Sequence, residues 1–351
     1  MSKDKKTLVI LTPGFPKDEA DSTCLPMQQQ LIQTLLKNNP ELSITVLSFQ
    51  YPYHTTAYNW LSVNVIPFNG QNKGGLPRLL LQRKINTALK KIHNSTGITG
   101  LLSFWYGECA LVGKRFTDKH NSKHLCWILG QDARKQNKYP KRVFLKAGEL
   151  IALSDFLQDE FEKNHSIRPQ HIIPAGVDPT LFRNAGSIKN INILAAGSLI
   201  PLKQYDIFLH VLAEIKKRLP QVKAMLVGEG PERKKLEALI TQLGLQSTIT
   251  LTGGLSHAEV LQQMQRAKLF LHPSSYEGFS GVCLEALQAG AHVISFCKAM
   301  EQEIEHWHIV STKELMIQKA LAILENPVTS HKQVTFQTMD EVAKKILALF
   351  R

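Results

Sequence analysis

Two glutamates in one stretch are the residues best suited to chemistry. The window 268–290 predicts a buried strand, a polar loop with two glycines and then a helix that begins near Gly281. Glu277 lies in the loop and Glu285 lies early in the helix. A carboxylate can accept hydrogen bonds from neighbouring hydroxyls, so both side chains could bind a sugar or a ribose. The alternative is that both are solvated acids, which a helix N-terminus favours in any case.

The start of this predicted helix also suits an anion. Free backbone N–H groups near Gly281, with the helix dipole behind them, form a site for a diphosphate. Gly278 and Gly281 would let a ligand approach the backbone closely. Lys203 follows another predicted strand and could neutralise phosphate, although a plain surface lysine is the alternative. Gly228-x-Gly230 follows a further strand, where it either binds a nucleotide or only ends the strand tightly.

Alternating strands and helices must position these groups. Short apolar runs predict strands at Thr7–Thr12, Ser43–Phe49, Ile98–Phe104, Lys123–Leu129, Leu150–Leu153, His171–Pro174, Ile191–Ala196, Lys223–Val227, Ile249–Leu251, Lys268–Leu271 and His292–Phe296. Helical spacing of apolar residues predicts helices around Leu31–Leu36 and Leu81–Ile92, and at Tyr205–Arg218, Pro231–Leu243, Ser256–Arg266, Gly281–Ala289, Thr312–Glu325 and Met339–Phe350. This alternation is typical of parallel sheets with right-handed crossovers.

The length of 351 residues suggests two domains. A turn-rich stretch at 174–179 separates two series of strands and helices. We therefore expect an α/β fold with two Rossmann-like, doubly wound parallel-sheet domains, residues 1–180 and 181–335, that face a central cleft. Residues 336–351 are expected to form a terminal helix. Ligands of such sheets bind at the carboxyl ends of the strands.

Three predicted strand ends in the first half could face a second ligand. Aromatic rings there could stack on sugar rings, and polar side chains could bind sugar hydroxyls, although each such residue is more often a packing residue. The candidates are Gly14, Phe15, Trp105, Tyr106, Glu108, Gln131 and Asp132.

Composition and charge limit the class of protein. The apolar fraction of 43% and charged fraction of 20% exclude a disordered or fibrous chain. The formal net charge is +13, of which +9 lies in residues 1–180. This asymmetry suits an anionic partner of the first half, such as phosphate, nucleic acid or acidic lipid. The alternative is that the net positive charge only aids solubility. Five cysteines without a CxxC pair indicate a reducing compartment. No stretch approaches the roughly 20 apolar residues of a membrane span, and the first apolar run predicts a strand rather than a signal peptide.

Two further patterns in the sequence are typical of other classes of function. His306 and His308 lie near Glu303 and Glu305 in the densest cluster of possible metal ligands, but such mixtures are common on surfaces and we expect no metal site. The basic stretch 134–142 contains one aromatic residue and could bind nucleic acid. We expect no nucleic-acid partner, because the signals in the second half are stronger.

The ordered motifs of the second half resemble a known family. The chain is similar to the family 4 (RfaG-like, group 1) glycosyltransferases over about residues 172–296. The single pieces are weak, but their order along predicted strands and helices is specific. The resemblance rests on Gly197 with Lys203, Val227-Gly228-Glu229-Gly230-Pro231, Leu251-Thr252-Gly253, and Pro273-Ser274-x-x-Glu277-Gly278-Phe279 with Glu285-Ala286 and Gly290.

The resemblance implies the GT-B arrangement and a retaining, metal-independent transfer from a nucleotide-diphosphate sugar without a further cofactor. It implies that Glu277 contacts the donor sugar, Glu285 contacts the ribose and Lys203 binds the diphosphate. Glu277 and Lys203 are then the expected catalytic residues. The full donor-binding set implied is Gly197, Ser198, Lys203, Gly228, Glu277, Gly278, Phe279, Ser280, Gly281, Val282 and Glu285. The C-terminal helix would pack back on the N-terminal domain.

The resemblance also implies partners and a location. We expect a UDP or GDP donor and a sugar or lipid-linked acceptor, in surface polysaccharide or glycolipid synthesis. The basic first half favours a cytoplasmic protein that contacts an anionic membrane peripherally.

Three departures from the family pattern leave a non-catalytic sugar-nucleotide-binding relative as the alternative. Ser198 stands where the family usually has Arg, so one diphosphate contact is missing or comes from elsewhere, such as Arg134 or Lys135. The first glycine-rich loop is reduced to Gly14. Gly130-Gln131-Asp132 replaces a usual His-Gly, which removes a histidine that could contact the donor sugar.

Overall fold

A computed structural model describes residues 7–182 and 188–351. The chain folds into two compact units. The first unit is Met1–Ala175 together with Met339–Arg351, and the second is Gly176–Thr338. The chain passes between the units twice, after Ala175 and after Thr338, whereas the sequence placed these boundaries after residues 180 and 335.

The first unit contains an eight-stranded sheet. Its strands are β1 (Thr7–Gly14), β2 (Ser43–Tyr51), β3 (Tyr58–Trp60), β4 (Val63–Pro67), β5 (Ile98–Phe104), β6 (Lys123–Ile128), β7 (Leu150–Ala152) and β8 (His171–Ile172). Their spatial order is β3-β4-β2-β1-β5-β6-β7-β8. All neighbours are parallel except β3 and β4, which pair antiparallel at the edge. Residues of β1 are buried in succession because helices cover both faces of the sheet.

Helices cover this sheet and end at recognisable caps. They are α1 (Pro26–Asn38), α2 (Gly75–Thr96), α3 (Glu108–His120) and α4 (Asp155–His165). The Ser154 hydroxyl accepts from the Leu157 N–H at 3.1 Å and so caps α4. One core cluster joins Val9, Leu47 and Leu101 of the sheet to Leu89 of α2 and Phe116 of α3.

The second unit contains a six-stranded parallel sheet. Its strands are β9 (Ile191–Ala196), β10 (Ala224–Val227), β11 (Ile249–Gly253), β12 (Ala267–His272), β13 (His292–Ser295) and β14 (Trp307–Ile309), in the spatial order β11-β10-β9-β12-β13-β14. Its helices are α5 (Tyr205–Arg218), α6 (Arg233–Gln242), α7 (His257–Arg266), α8 (Gly281–Gln288) and α9 (Lys313–Glu325). A core cluster joins Phe208 and Leu212 of α5 to Leu226 and Leu269 of the sheet and Met316 of α9.

The last helix of the chain belongs to the first unit. This helix, α10 (Met339–Ala348), packs against α1. Val342 and Ile346 are fully buried, and the Asn38 side chain donates a hydrogen bond to Asp340 at 2.7 Å. The ring of Phe350 occupies the space that a side chain would need at Gly100 of β5.

The predicted α/β class with two doubly wound parallel sheets is confirmed, but several elements were missed. The sequence reading did not identify α3, α4, β3, β4 or β14. Each missed strand has no more than five residues, too few for an apolar period to stand out. Cys109, Val112 and Phe116 do recur with helical spacing in α3 and are buried, so this helix carried a usable signal.

Each sheet has a point where the strand order reverses. In the first sheet, β2 lies on one side of β1, and β5 lies on the other side of β1. In the second sheet, β10 lies on one side of β9, and β12 lies on the other side of β9. The crevice outside the carboxyl ends of the strands at such a reversal is the usual ligand site of open α/β sheets.

Across the two described ranges, the helices are all too short or too polar to cross a bilayer.

Candidate functional site

The reversal point of the second sheet brings two predicted site residues together. Lys203 ends a single helical turn after β9, and Glu277 lies in the loop after β12. The Lys203 ammonium forms an ion pair with the Glu277 carboxylate. Only 18% and 17% of these side chains are exposed. The two loops are also joined through the backbone, because the Ser275 N–H donates to the Leu202 carbonyl at 3.0 Å.

A buried histidine completes this cluster. His272 is the last residue of β12, and its Nε2 lies 2.9 Å from Oε1 of Glu277. Burial lowers the pKa of His272, so a neutral ring donates this hydrogen bond. Burial also raises the pKa of Glu277, but the contacts with His272 and Lys203 outweigh it and lower that pKa to about 2. The sequence reading gave His272 no role, although its place at the end of a buried strand was visible.

Glu285 has a histidine partner of its own. Glu285 lies on α8, and its Oε1 is 2.7 Å from Nε2 of His257, the first residue of α7. Burial lowers the pKa of His257, but Glu285 outweighs this effect, so the pKa is raised overall. Ser256 and Glu259 cap each other's backbone N–H groups and fix the start of α7. The sequence reading missed His257, although Ser256-x-x-Glu259 marked the helix start beside it.

The first turn of α8 is open to a ligand. The Ser280 side chain does not cap the helix that begins at Gly281. A Cβ placed on Gly281 would meet no atom within 4 Å, so space lies directly beside this backbone. The first N–H groups of a helix have no intrahelical acceptor and attract anions. The predicted anion site therefore has room for a ligand beside Gly281.

Two side chains of the loop before α8 are packing residues. Phe279 is buried, with its ring stacked on Trp307 at a centroid distance of 5.7 Å and edge-on to Phe336. Ser280 is also buried. A cavity of about 560 Å³ adjoins Phe279, Trp307 and His308. The aromatic packing fixes the direction of the loop that carries Glu277.

The glycines after β9 and β10 allow two loops to interlock. A Cβ on Gly228, whose φ is +149°, would lie 1.9 Å from the carbonyl oxygen of Gly197. The Leu199 N–H donates to the Glu229 carbonyl at 2.8 Å across the same contact. Gly228 is thus needed to pack the two loops together, and Ser198 is exposed beside them.

A tyrosine that sequence reasoning missed lies beside Lys203. Tyr205 begins α5 and is 3% exposed, yet its hydroxyl has no hydrogen-bond partner in the described structure. A Cβ on Gly197 would lie 2.8 Å from this hydroxyl and 3.8 Å from Cε of Lys203. The Tyr205 hydroxyl and Lys203 therefore approach the Gly197 turn together. An unpaired buried hydroxyl is costly unless a ligand completes it.

Three candidates in the first unit are core residues, which corrects the prediction that their side chains face a ligand. Phe15 is fully buried and packs edge-on against Trp60 at 5.0 Å. Tyr106 is fully buried, and its hydroxyl donates to the Val143 carbonyl at 2.7 Å. Asp132 is 8% exposed and accepts from the backbone N–H groups of Gly130 and Tyr106, both at 2.8 Å. The type of a residue at a strand end does not tell whether its side chain packs in the core or binds a ligand.

The other first-unit candidates remain accessible. Gly14 ends β1 and pairs with Tyr51. Gln131 is exposed. Trp105 and Glu108 line a cavity of about 190 Å³ at the carboxyl edge of the first sheet.

The two histidines considered for metal binding, His306 and His308, each stack on a third histidine, His292. His292 lies 4.1 Å from His306 between ring centroids, and its Nδ1 is 3.2 Å from Nε2 of His308. Within residues 7–182 and 188–351, no group of three or more His, Cys, Asp or Glu side chains is placed to hold a metal ion.

Comparisons with known proteins relate part of this chain to glycosyltransferases. A profile of the family described as Glycosyl transferases group 1 matches residues 180–329. The MMP alpha-(1->4)-mannosyltransferase of Mycolicibacterium hassiacum is 30% identical over 158 residues, which are 44% of this chain. The match spans only 38% of that protein's length.

Two solved structures resemble the chain over nearly its whole length. The sucrose-phosphate synthase of Thermosynechococcus elongatus has a TM-score of 0.72 at 17% identity, covering 99% of this chain and 95% of that one. The pneumococcal O-GlcNAc transferase, solved with UDP and GlcNAc, has a TM-score of 0.69 at 15% identity and covers 99% of both chains. The chain therefore has the GT-B fold, and its residues 180–329 are similar to the group 1 glycosyltransferases.

Proposed function

We propose that this protein transfers a sugar from a nucleotide-diphosphate sugar to an acceptor, without a metal ion and with retention at the anomeric carbon. The observation that carries the proposal is the cluster of Lys203, Glu277 and His272 at the reversal point of the second sheet. The open N-terminus of α8 belongs to the same loop region. Retention comes from the family resemblance.

The positive groups of this site suit a leaving diphosphate. Negative charge develops on the diphosphate as the glycosidic bond breaks, and donors already in place stabilise that charge. Lys203 supplies one ammonium group, and α8 supplies the backbone N–H groups near Gly281. These groups would perform the neutralisation that a bound cation performs in other enzymes.

The two glutamates would hold the two sugars of the donor. Glu277 is ionised throughout the neutral range and can accept hydrogen bonds from hydroxyls of the transferred sugar. It also restrains Lys203. Glu285 would accept from the ribose hydroxyls, while His257 orients its carboxylate. His257 and His272 are therefore positioning residues in this proposal.

We propose UDP or GDP as the nucleotide and a sugar or lipid-linked acceptor, as in surface polysaccharide or glycolipid synthesis. The pneumococcal neighbour was solved with UDP. The charge of +9 on residues 1–180 supports a cytoplasmic protein that meets an anionic membrane surface. Co-sedimentation with anionic but not neutral liposomes is the expected result, and equal binding to both would contradict the membrane contact.

The function is tested with a donor panel of UDP-, GDP-, ADP- and dTDP-sugars. Thermal stabilisation and slow donor hydrolysis are measured for the wild type, Glu285→Ala and Lys203→Met. We expect one nucleotide class to stabilise the wild type and both variants to lose that effect. Glu214→Ala, a surface variant on α5, is the matched control and should behave as wild type.

Two results would contradict the proposal. Stabilisation by no donor would exclude the nucleotide site. Stabilisation by a donor without hydrolysis or transfer, with any acceptor offered, would identify a non-catalytic sugar-nucleotide-binding protein. The exposed Ser198 in place of an arginine makes the second result the informative alternative.

A further inference from the structure

We infer that the cavity lined by Trp105, Glu108 and Arg78 in the first unit binds one anionic sugar residue, carrying a carboxylate or a phosphate. This inference rests on the proposed function for the use of that sugar, which would be part of the acceptor. Binding itself depends only on the first unit.

The place and size of the cavity fit a single sugar ring. Pro13 near the end of β1, Phe49 of β2 and Phe104 of β5 line it, so it lies at the carboxyl edge where the strand order reverses. Its volume of about 190 Å³ is below the roughly 300 to 1,000 Å³ of pockets for drug-sized ligands. One ring with one charged substituent is therefore a suitable occupant.

Trp105 gives the cavity an aromatic surface in a strained backbone. Its φ is +62°, an uncommon value for a bulky residue. The Trp105 N–H donates to the Trp127 carbonyl at 2.9 Å, and the next N–H, of Tyr106, donates to buried Asp132. Strain that the surroundings enforce in this way is typical of ligand sites. A partly exposed indole can stack on the apolar face of a sugar.

Two side-chain amides hold the Glu108 carboxylate in place. One carboxylate oxygen accepts from the Gln50 amide at 2.9 Å and the other from the Gln82 amide at 2.8 Å. Glu108 is also the first residue of α3, where the helix dipole favours a negative group. Its remaining lone pairs can accept sugar hydroxyls.

Arg78 is the cavity residue best suited to bind an anion. Its Nε is buried and has no hydrogen-bond partner in the described part of the chain. No ion pair of Arg78 occurs there either. A guanidinium binds a carboxylate or a phosphate through paired N–H donors, so such a group on the ligand would complete it.

The surroundings of the cavity add positive charge. The Arg142 guanidinium lies 5.8 Å from the ring centroid of Tyr139, which also lines the cavity. Arg142 ends the basic stretch 134–142. Arg78 and Arg142 thus place two guanidinium groups at or near the cavity against the one carboxylate of Glu108, and this excess of positive charge favours an anionic over a neutral sugar.

The test is binding of monosaccharide probes to the full-length protein by saturation-transfer NMR. The probes are methyl glucuronide, glucose 6-phosphate and the neutral methyl glucoside. We expect at least one anionic probe to bind about tenfold more tightly than the neutral one, and the better probe separates a carboxylate from a phosphate ligand. Arg78→Gln should remove this preference, and Trp105→Leu should weaken all three probes. Arg83→Gln, on the same helix, is the control and should bind as wild type.

Equal binding of neutral and anionic probes would overturn the anionic class, and an unchanged preference in Arg78→Gln would overturn the assignment of Arg78. Binding of no probe would overturn the site. The same samples are titrated with UDP and GDP. Loss of nucleotide binding with retained sugar binding would reject the proposed function but not this cavity, and the reverse result would reject the cavity alone.

Discussion

At the scale of single residues, burial and neighbouring side chains together determine the charge of Glu277 in the candidate site. Glu277 is mostly buried, which on its own would favour the neutral acid. The hydrogen bond from His272 and the charge of Lys203 reverse this and hold the pKa near 2. The carboxylate is thereby kept ionised beside the Lys203 ammonium, the group that we propose binds phosphate.

The low pKa of Glu277 has a consequence for stability at acid pH. A folded-state pKa below the unfolded one means that the stabilisation is present above about pH 4.5 and is lost as the pH falls towards 2. Glu277→Gln should lower the free energy of unfolding at neutral pH by about 3 kcal/mol, because Lys203 loses its partner. Thermal unfolding measured from pH 7 to pH 2.5 should show that the stability difference between wild type and Glu277→Gln becomes smaller as the pH falls. A difference that is independent of pH would contradict the ion pair.

The Tyr205 hydroxyl gives a second prediction at this scale. Tyr205→Phe removes a buried hydroxyl that has no protein partner, so the unliganded variant should be as stable as wild type or slightly more stable. If the hydroxyl donates to the donor diphosphate, the Kd for the nucleotide should rise about threefold to tenfold. Calorimetric titration and a melting curve measure the two effects. Unchanged nucleotide affinity would exclude this contact.

At the scale of elements, the turns after β9 and β10 hold the site in shape by close backbone contact. The turn at Gly228 approaches Gly197 so closely that no side chain fits. The Gly197 turn in turn lies beside Lys203 and the Tyr205 hydroxyl. The position of the lysine is thus coupled to Gly228 through the Gly197 turn.

Gly228→Ala should therefore destabilise the second unit by about 2 kcal/mol or more, since the new Cβ meets the Gly197 carbonyl at 1.9 Å. Gly281→Ala is the matched control. Its Cβ meets open space, so its stability should equal that of wild type or exceed it by up to about 1 kcal/mol from helix propensity. Melting curves of both variants measure these effects. Equal losses in the two would show that the close contact is not the cause.

At the scale of the whole molecule, the last helix belongs with the first residues of the chain. Helix α10 buries Val342 and Ile346 against the first unit, although all of the second unit precedes it in sequence. Ile346→Ala should lower the stability of the first unit by about 2 to 5 kcal/mol. Hydrogen exchange should rise in α1 and remain unchanged in α5. Lys344→Ala, at an exposed position of α10, is the control, and faster exchange in α5 would contradict the assignment.

The sequence by itself determined the fold class and the types of residue at the second-unit site. Long buried strands such as β9, the helix α5 and the ordered motifs around Glu277 could be read because apolar period and turn residues are local properties. Short strands such as β14 could not, because three residues carry no period. The pairing of Glu277 with His272, and of Glu285 with His257, also required the folded chain.

Only the tertiary structure separated packing residues from accessible ones at the edge of the first sheet. Phe15, Tyr106 and Asp132 have the residue types of a binding site, yet the folded chain buries their side chains, while Trp105 beside them stays accessible. The unpaired Nε of Arg78 and the lone hydroxyl of Tyr205 are likewise invisible in sequence. The physical reason is that burial and hydrogen-bond satisfaction depend on contacts between residues far apart in the chain, which no local pattern encodes.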